Sequence, residues 1–190
     1  DSIDKKHNKF SVLDLISGYD YKNSFKKHSF KYKGLIDISS FSFNTVQGYS
    51  LSSGFEYYKW SDEDGKFSKI NSTINYGFSD KRARISGEYS HRLNNQNYAE
   101  IAISGGTKVS QFNDNPAISP FINDISTLFF MDNYMKLYNL EFAKINYKQD
   151  IANGINLNSK IEYQTRKPLF NTTDYTVISK DKLYTSNNPI

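Results

Sequence analysis

The chain has 190 residues, a formal net charge of +4, 37% hydrophobic and 16% aromatic residues, and a mean hydropathy of −0.66. It contains no cysteine, which excludes disulfides and thiolate metal sites. The sequence has no run of about 18 apolar residues, which is the length that a membrane-spanning helix needs. The aromatic content argues against disorder, and the scattered Asp and Glu residues argue against a nucleic-acid-binding surface.

Eight segments are predicted to be β-strands because apolar and polar residues alternate along them. The clearest is Phe67–Phe78, in which Ile70, Ile74 and Tyr76 alternate with small or polar residues. A period of two places the two sets on opposite faces of a strand. In chain order the predicted strands are Phe10–Tyr21, Phe30–Ile38, Val46–Trp60, Phe67–Phe78, Arg82–Arg92, Tyr98–Val109, Lys136–Gln149 and Ile155–Arg166.

The alternation is typical of strands that cross a membrane around a wet interior. We therefore expect an all-β fold, an antiparallel transmembrane β-barrel of about eight meandering strands, with residues 1–190 forming part of a larger barrel. The final residues, Tyr184–Ile190, do not form a strand, so we expect an interior piece of a longer protein. Tyr57, Tyr58, Trp60 and Tyr98 lie at predicted strand ends and suit an aromatic belt at a membrane interface.

The segment Lys136–Gln149 is less regular, because its apolar residues change parity after Phe142. A β-bulge near Phe142 would restore the phase. Burial of the strand on both faces is the alternative interpretation.

The connections between strands alternate in length. Short turns near Asp62, Asn95 and Asn153 fall at one end of the predicted sheet, and the long segments fall at the other end with the turn at Asp80. Outer-membrane barrels keep short turns in the periplasm and long loops outside. We therefore expect the long loop, at about 110–135, and the loop or linker 167–190 to be extracellular.

The long loop contains a helix signal. Ser119 and Pro120 suit the N-cap and the first helical position, which predicts a short amphipathic helix over roughly Pro120–Phe130. Its apolar residues recur at helical spacing. They pack on the barrel rim, or they form a lid or a partner contact: Phe121, Ile122, Ile125, Leu128 and Phe129.

Charged residues on the polar parity of the strands are candidates for a lumen lining, either as a charge ladder for solutes or as a salt-bridged interior. They are Arg82, Arg84, Glu88, Glu100, Lys160 and Glu162. No catalytic, cofactor-binding or metal-binding residue is predicted. Three histidines lack a second ligand at metal-binding spacing, and the acidic turn at Asp62–Gly65 lacks the later ligands of a calcium loop.

Five strings, in order along the chain, resemble a Bacteroidota outer-membrane family of unknown function. They begin at Phe43 (FNTVQG), Tyr76 (YGFSDKR), Asn115 (NPAISP), Asn133 (NYMKLY) and Arg166 (RKPLFNTTDY). Members of that family carry an N-terminal carboxypeptidase-regulatory-like domain before a membrane barrel. The resemblance implies a Gram-negative outer membrane and a barrel larger than these residues, and it supplies no catalytic residue.

Three functions are compatible with these observations. The first is a non-enzymatic outer-membrane barrel segment in transport or in assembly and export of envelope proteins, in contact with lipid, lipopolysaccharide and other envelope proteins. The second is a barrel hydrolase that uses Ser90 and His91. The third is a soluble β-rich module that binds glycans through exposed tyrosines.

Overall fold

A computed structural model describes residues 4, 8–35, 41–113 and 118–188. The end of the predicted strand Phe30–Ile38 and the Asn115–Pro116 pair lie outside the described residues. The described strands are β1 Tyr19–Asn23, β2 His28–Tyr32, β3 Phe41–Asn44, β4 Gly48–Trp60, β5 Phe67–Gly77, β6 Arg82–Arg92, β7 Glu100–Gln111, β8 Leu137–Ala152 and β9 Ile155–Pro168. The helices are α1 Asp14–Ser17 and α2 Pro120–Ile125, and α2 continues as a π-helical segment, Ser126–Phe130.

The strands form one antiparallel sheet in the order β1-β2-β4-β5-β6-β7-β8-β9, with β3 also paired to β4. Both β2 and β3 lie on the same side of β4, β2 against residues 55–59 and β3 against residues 48–51. The nine strands therefore occupy eight positions across the sheet. Within the described residues the sheet is open, with β1 and β9 at its edges. The all-β antiparallel prediction is confirmed, and the closed barrel is not seen.

The meander places the short β4–β5, β6–β7 and β8–β9 turns at one end of the sheet, as predicted. The β8–β9 turn contains Gly154 at a φ of 78°, a left-handed conformation that favours glycine. The opposite end carries the β3–β4 and β5–β6 turns. It also carries two long segments, residues 118–136 and 169–188, and we call these two segments the cap.

At the N-terminal side two strand predictions need correction and one strand was missed. The predicted strand Phe30–Ile38 is observed as His28–Tyr32, and residues 33–35 do not continue it. The predicted strand Phe10–Tyr21 is wrong before Tyr19. Asp14–Ser17 form α1 through local backbone hydrogen bonds, and the strand covers Tyr19–Asn23. The side chain of Asp14 accepts a hydrogen bond from the Ser11 backbone at 2.7 Å, which favours the helical turn over an extended chain. Strand β3 was not predicted, because four residues are too few to display a period.

No bulge occurs near Phe142. The β7–β8 register is continuous from Gln111–Leu137 to Glu100–Lys148, and the only irregularity in β8 falls between Asp150 and Ala152, opposite β9. Residues 137–140 are instead buried on both faces of the strand. The alternative interpretation, burial on both faces, is the one that the structure supports.

The apolar core lies at the cap end of the sheet. One cluster contains Phe43, Met131 and Tyr184, and a second contains Val46, Leu137 and Leu169. Each cluster joins a residue of the β3–β4 hairpin to residues far along the chain, so the core fastens the cap to the sheet. Among the described helices, none is both long and apolar enough to cross a membrane.

Candidate functional site

One face of the sheet carries an unbroken row of apolar side chains. Cross-strand pairing in register aligns, from β1 to β9, Tyr21, Phe30, Tyr57, Ile70, Tyr89, Ile103, Ile145 and Ile161. Ile103, Ile145 and Ile161 are 49%, 48% and 77% exposed. We call this side the apolar face. Its apolar side chains are presented outward, and no second layer formed by the described residues covers them.

The residues one position along each strand form a second row on the opposite side. From β1 to β9 it contains Asp20, Lys31, Glu56, Asn71, Glu88, Ser104, Lys144 and Glu162. We call this side the polar face. Besides the ion pair of Arg84 described below, four ion pairs lie on it: Lys31–Asp20 at 3.6 Å, Lys69–Glu56 at 3.0 Å, Arg92–Glu100 at 3.6 Å and Lys160–Glu162 at 2.9 Å.

The register places all six lumen-lining candidates on the polar face. Arg82, Arg84 and Glu88 follow one parity of β6, Glu100 follows the matching parity of β7, and Lys160 and Glu162 follow it on β9. Their common side is therefore a structural fact. That this side lines a lumen stays a prediction.

Arg84 differs from its neighbours because it is only 2% exposed. Its Nη2 lies 2.6 Å from Asp80 Oδ2, and its Nε donates to Asn139 Oδ1 at 2.9 Å. Arg84 thus joins the β5–β6 turn to β8. It is an internal cross-link, whereas Arg82, on the same side of β6, is exposed.

The aromatic residues proposed for an interface belt do not share one side. Tyr57 belongs to the apolar row, whereas Tyr58 and Trp60 lie on the polar face with stacked rings 5.6 Å apart. Arg92 lies over the Phe67 ring at 4.8 Å beside them. The belt interpretation is therefore wrong for Tyr58 and Trp60, because the alternation of a strand separates residues 57 and 58.

A cavity of about 570 Å³ lies on the polar face beneath the cap. Its sheet wall contains Ser52, Thr73, Asn75 and Ser86, and α2 contributes Asn123 and Asp124. A second cavity of about 260 Å³ shares Thr73, Ser86 and Lys108 with it and extends toward Glu88 and Lys144. The polar face therefore carries a continuous trough that changes from neutral at the cap to charged in the middle of the sheet.

Hydrogen bonds between side chains fix the neutral wall. Asn44 Oδ1 accepts from the backbone of Val46 at 3.0 Å and of Gln47 at 2.8 Å. Gln47 Nε2 donates to Asn75 Oδ1 at 2.6 Å, and Asn75 Nδ2 donates to Ser52 Oγ at 3.0 Å. These amides are held in place before any ligand arrives.

The structure confirms the helix in the long loop but not the burial of its apolar residues. Ser119 Oγ accepts from the Ile122 backbone at 3.3 Å, and Pro120 occupies the first turn, as predicted. Phe121, Ile122 and Ile125 are 59%, 52% and 39% exposed. Of the five contact candidates, Leu128 packs on the Phe43 cluster, and Phe129 is half-buried.

The buried side of this helical segment is polar. Asn123 and Thr127 are almost fully buried, and Asn123 Oδ1 accepts from the Tyr134 backbone at 2.9 Å. The Tyr184 hydroxyl donates to the Thr127 carbonyl at 2.7 Å. Sequence reasoning missed this arrangement because the partners of the buried groups lie in other parts of the cap.

Two acidic groups of the cap have pKa values that burial raises. Burial raises the pKa of the Asp124 carboxyl to about 6, and a hydrogen bond from the Phe43 backbone opposes the shift. Burial, with a smaller contribution from Asp174, raises the pKa of the Tyr184 hydroxyl to about 12. Tyr184 therefore stays neutral, while Asp124 titrates close to physiological pH.

Ser90 and His91 lie on opposite faces of β6, because adjacent residues of a strand alternate between its two sides. His91 Nδ1 lies 2.9 Å from the hydroxyl of Ser68, its cross-strand neighbour. Among the described residues, no group of three or more His, Cys, Asp or Glu side chains could hold a metal ion. The Asp62 carboxylate, in the acidic turn, pairs with Lys27.

A family model matches residues 13–190 of the chain; its description is the C-terminal domain of a family of unknown function, DUF5686. No curated protein and no solved structure matches the chain significantly. The chain belongs to the DUF5686 C-terminal domain family.

Proposed function

We propose that this member of the DUF5686 C-terminal domain family is a segment of a Gram-negative outer-membrane β-barrel. Its role is non-enzymatic, in transport or in the assembly and export of envelope proteins. In this proposal the apolar face contacts membrane lipid and lipopolysaccharide, the polar face lines a water-filled interior, and the cap lies at the cell exterior.

The observation that carries the proposal is the apolar row across all eight positions of the sheet. In a β-sandwich, such a row would be covered by a second layer at about 10 Å. Here the side chains of the row are half-buried or exposed, and their neighbours along the strands are mostly charged or polar. Exposed apolar surface on this scale marks an interaction surface, and strict alternation with a polar side matches the pattern of barrel strands in a membrane.

The edges of the sheet favour a larger barrel. Strand β9 has 14 residues, and its outer side has no strand partner in the described part of the chain. Strand β1, at the other edge, has five residues, and Asn8 binds the backbone of Lys22 there through both amide atoms. A long unpaired edge inside a membrane leaves backbone groups without partners, so we propose that further strands complete the barrel.

A conduit along the polar face can be tested by its ion selectivity. Lys144→Glu in the full-length protein reverses a charge in the middle of the polar row, so we expect a shift of the reversal potential toward cation selectivity in planar bilayers. Lys180→Glu makes the same change on the exposed cap and serves as the matched control. An identical reversal potential in Lys144→Glu and the unmodified protein would contradict a conduit lined by this face.

Arg84 is a poor reporter of conduction, although its position on the polar face makes it an obvious choice. Its guanidinium is buried against Asp80 and Asn139. A conductance change in Arg84→Ala would therefore reflect altered structure.

A further inference from the structure

We propose that the cavity beneath the cap binds a neutral saccharide. This inference concerns a site that is built from the described residues, and it does not depend on the placement of the sheet in a membrane. It also differs from binding through exposed tyrosines, because no tyrosine lines the cavity.

The size and position of the cavity suit a small ligand. Its volume of about 570 Å³ lies within the usual range for small-molecule sites. Strands β4, β5 and β6 form one wall, the ends of β7 and β8 form another, and α2 covers it. A ligand there would contact rigid strands on two sides and a helix on the third.

The chemistry of the sheet wall favours hydroxyl groups. Amide and hydroxyl side chains both donate and accept hydrogen bonds, as sugar hydroxyls do. This wall contains Ser52, Thr73, Asn75 and Ser86. Among the residues that line the whole cavity, the charged ones are Lys108 and Asp124. Elsewhere the polar face carries paired charges, so the neutral composition is a local property of the cavity.

The wall is preorganised and has hydrogen-bonding capacity to spare. Gln47 Nε2 and Asn75 Nδ2 each use one of their two hydrogens, in bonds to Asn75 and Ser52. The hydroxyl of Thr73, which is exposed to the cavity, makes no hydrogen bond to another described side chain. An amide that is already held by one hydrogen bond, and has a second hydrogen free for a ligand, loses little conformational entropy when the ligand binds.

The opposite wall, formed by the end of β7 and the start of β8, contains an apolar patch. Val109, Met135 and Leu137 form this patch, beside the polar residues Lys108, Ser110 and Gln111. A sugar ring has polar edges and an apolar C–H surface, so a cavity with an amide wall and an aliphatic patch on the facing wall matches both parts of it. An inorganic ion would find one partner of opposite charge at most, and a wholly apolar ligand would leave the amide wall without hydrogen bonds.

The experiment measures binding of maltose and diacetylchitobiose to the full-length protein by saturation-transfer difference NMR. The detergent is lauryldimethylamine oxide, since alkyl maltosides would compete for the site. Glucose 6-phosphate is the charged comparison probe. We expect at least one of the two disaccharides to bind with a Kd below roughly 10 mM, and glucose 6-phosphate to bind more weakly.

Two variants test the location of the site. Asn75→Leu removes the central amide and Thr73→Val removes a hydroxyl with little change of shape, and each is expected to weaken binding about tenfold. Asn71→Leu is the matched control, because Asn71 lies on the same face of β5 but outside this cavity, and it should leave the Kd within about twofold. Thr73→Val decides the question if Asn75→Leu does not fold.

The proposal is overturned if neither disaccharide binds with a Kd below roughly 10 mM. It is also overturned if Thr73→Val binds as tightly as the unmodified protein, or if glucose 6-phosphate binds as well as the disaccharides. Because these results do not depend on ion selectivity, a failure here leaves the conduit proposal standing, and the reverse also holds.

Discussion

Asp124 makes the stability of the cap depend on pH. It lies in α2 at the roof of the cavity, and burial raises the pKa of its carboxyl from 3.8 to about 6. The folded protein therefore binds this proton more tightly than the unfolded chain does. The resulting stabilisation is fully present below about pH 4 and is lost as the pH rises through 6.

We expect Asp124→Asn to flatten this part of the stability profile. At pH 7.5 the variant should be more stable than the unmodified protein by on the order of 1 kcal/mol, a value discounted for the solvent that still reaches the carboxyl. At pH 4 the difference should disappear. Thermal unfolding of the full-length protein at both pH values checks the prediction, with Asp181→Asn in the exposed part of the cap as the control. Equal pH profiles for Asp124→Asn and the unmodified protein would contradict it.

Arg84 and Asp80 form the most buried ion pair on the polar face. Their side chains are 2% and 6% exposed, so removing the guanidinium leaves the Asp80 carboxylate buried without its charged partner. We expect Arg84→Ala to lower the free energy of unfolding by about 3 kcal/mol in urea titrations of the full-length protein. Arg82→Ala, on the same face but exposed, should cost less than about 0.5 kcal/mol. Similar small losses in both variants would show that the Arg84 pair is not a structural cross-link.

At the scale of elements, the sheet divides near the cap at Gly106. Strands β6 and β7 pair from Arg92–Glu100 as far as Ser86–Gly106. Beyond that point β6 stays paired only to β5, and β7 only to β8. Gly106 has a φ of 132°, and a Cβ atom there would overlap the Ile85 carbonyl oxygen. The divergence leaves room for Arg84 to reach Asn139 across the gap.

Gly106→Ala should disturb this division. The added methyl group collides with backbone, and the φ value is unfavourable for alanine, so we expect a loss of about 2 kcal/mol in the free energy of unfolding. Gly87→Ala, in β6 with an ordinary φ and contacts no closer than 3.2 Å, is the control in the same urea titration. A Gly106→Ala variant as stable as Gly87→Ala would exclude a backbone requirement for glycine there.

The sequence predicts the regular elements well, because their periods are local. Arg82–Arg92 has the predicted bounds, and the helix in the long loop begins at Pro120 behind the Ser119 cap. The parts that could not be predicted depend on distant partners. The bond from Arg84 to Asn139 spans 55 positions, and the polar side of α2 is buried because Asn133 and Tyr134 return to Asn123.

At the scale of the whole molecule, the cap gathers segments that are far apart in the chain. Asn133 donates to Thr45 Oγ1 at 3.1 Å, the Thr172 backbone donates to the Thr45 carbonyl at 2.9 Å, and Ser79 Oγ donates to the Thr172 carbonyl at 3.2 Å. These residues belong to four of the five strings on which the family resemblance rests. These four strings therefore meet in one structural unit that joins the turns of the sheet to the cap.

The cap does not cover the middle of the sheet, where one face is charged and the other is apolar. Neighbouring residues such as Lys144 and Ile145 lie on opposite faces of β8, one in the charged row and one in the apolar row. If the apolar face contacts lipid, these two positions must have different surroundings although they are adjacent in the chain. The absence of cysteine from these 190 residues allows each position to be labelled within them.

The most direct test of the central claim compares Ile145→Cys with Lys144→Cys, each carrying a nitroxide label, in the full-length protein reconstituted in phosphatidylcholine vesicles. Electron paramagnetic resonance then measures collision of the label with oxygen, which concentrates in lipid, and with a water-soluble nickel chelate. The account predicts that the label at position 145 collides mainly with oxygen and the label at position 144 mainly with nickel. Predominant collision with nickel at position 145 would contradict the placement of the apolar face in lipid.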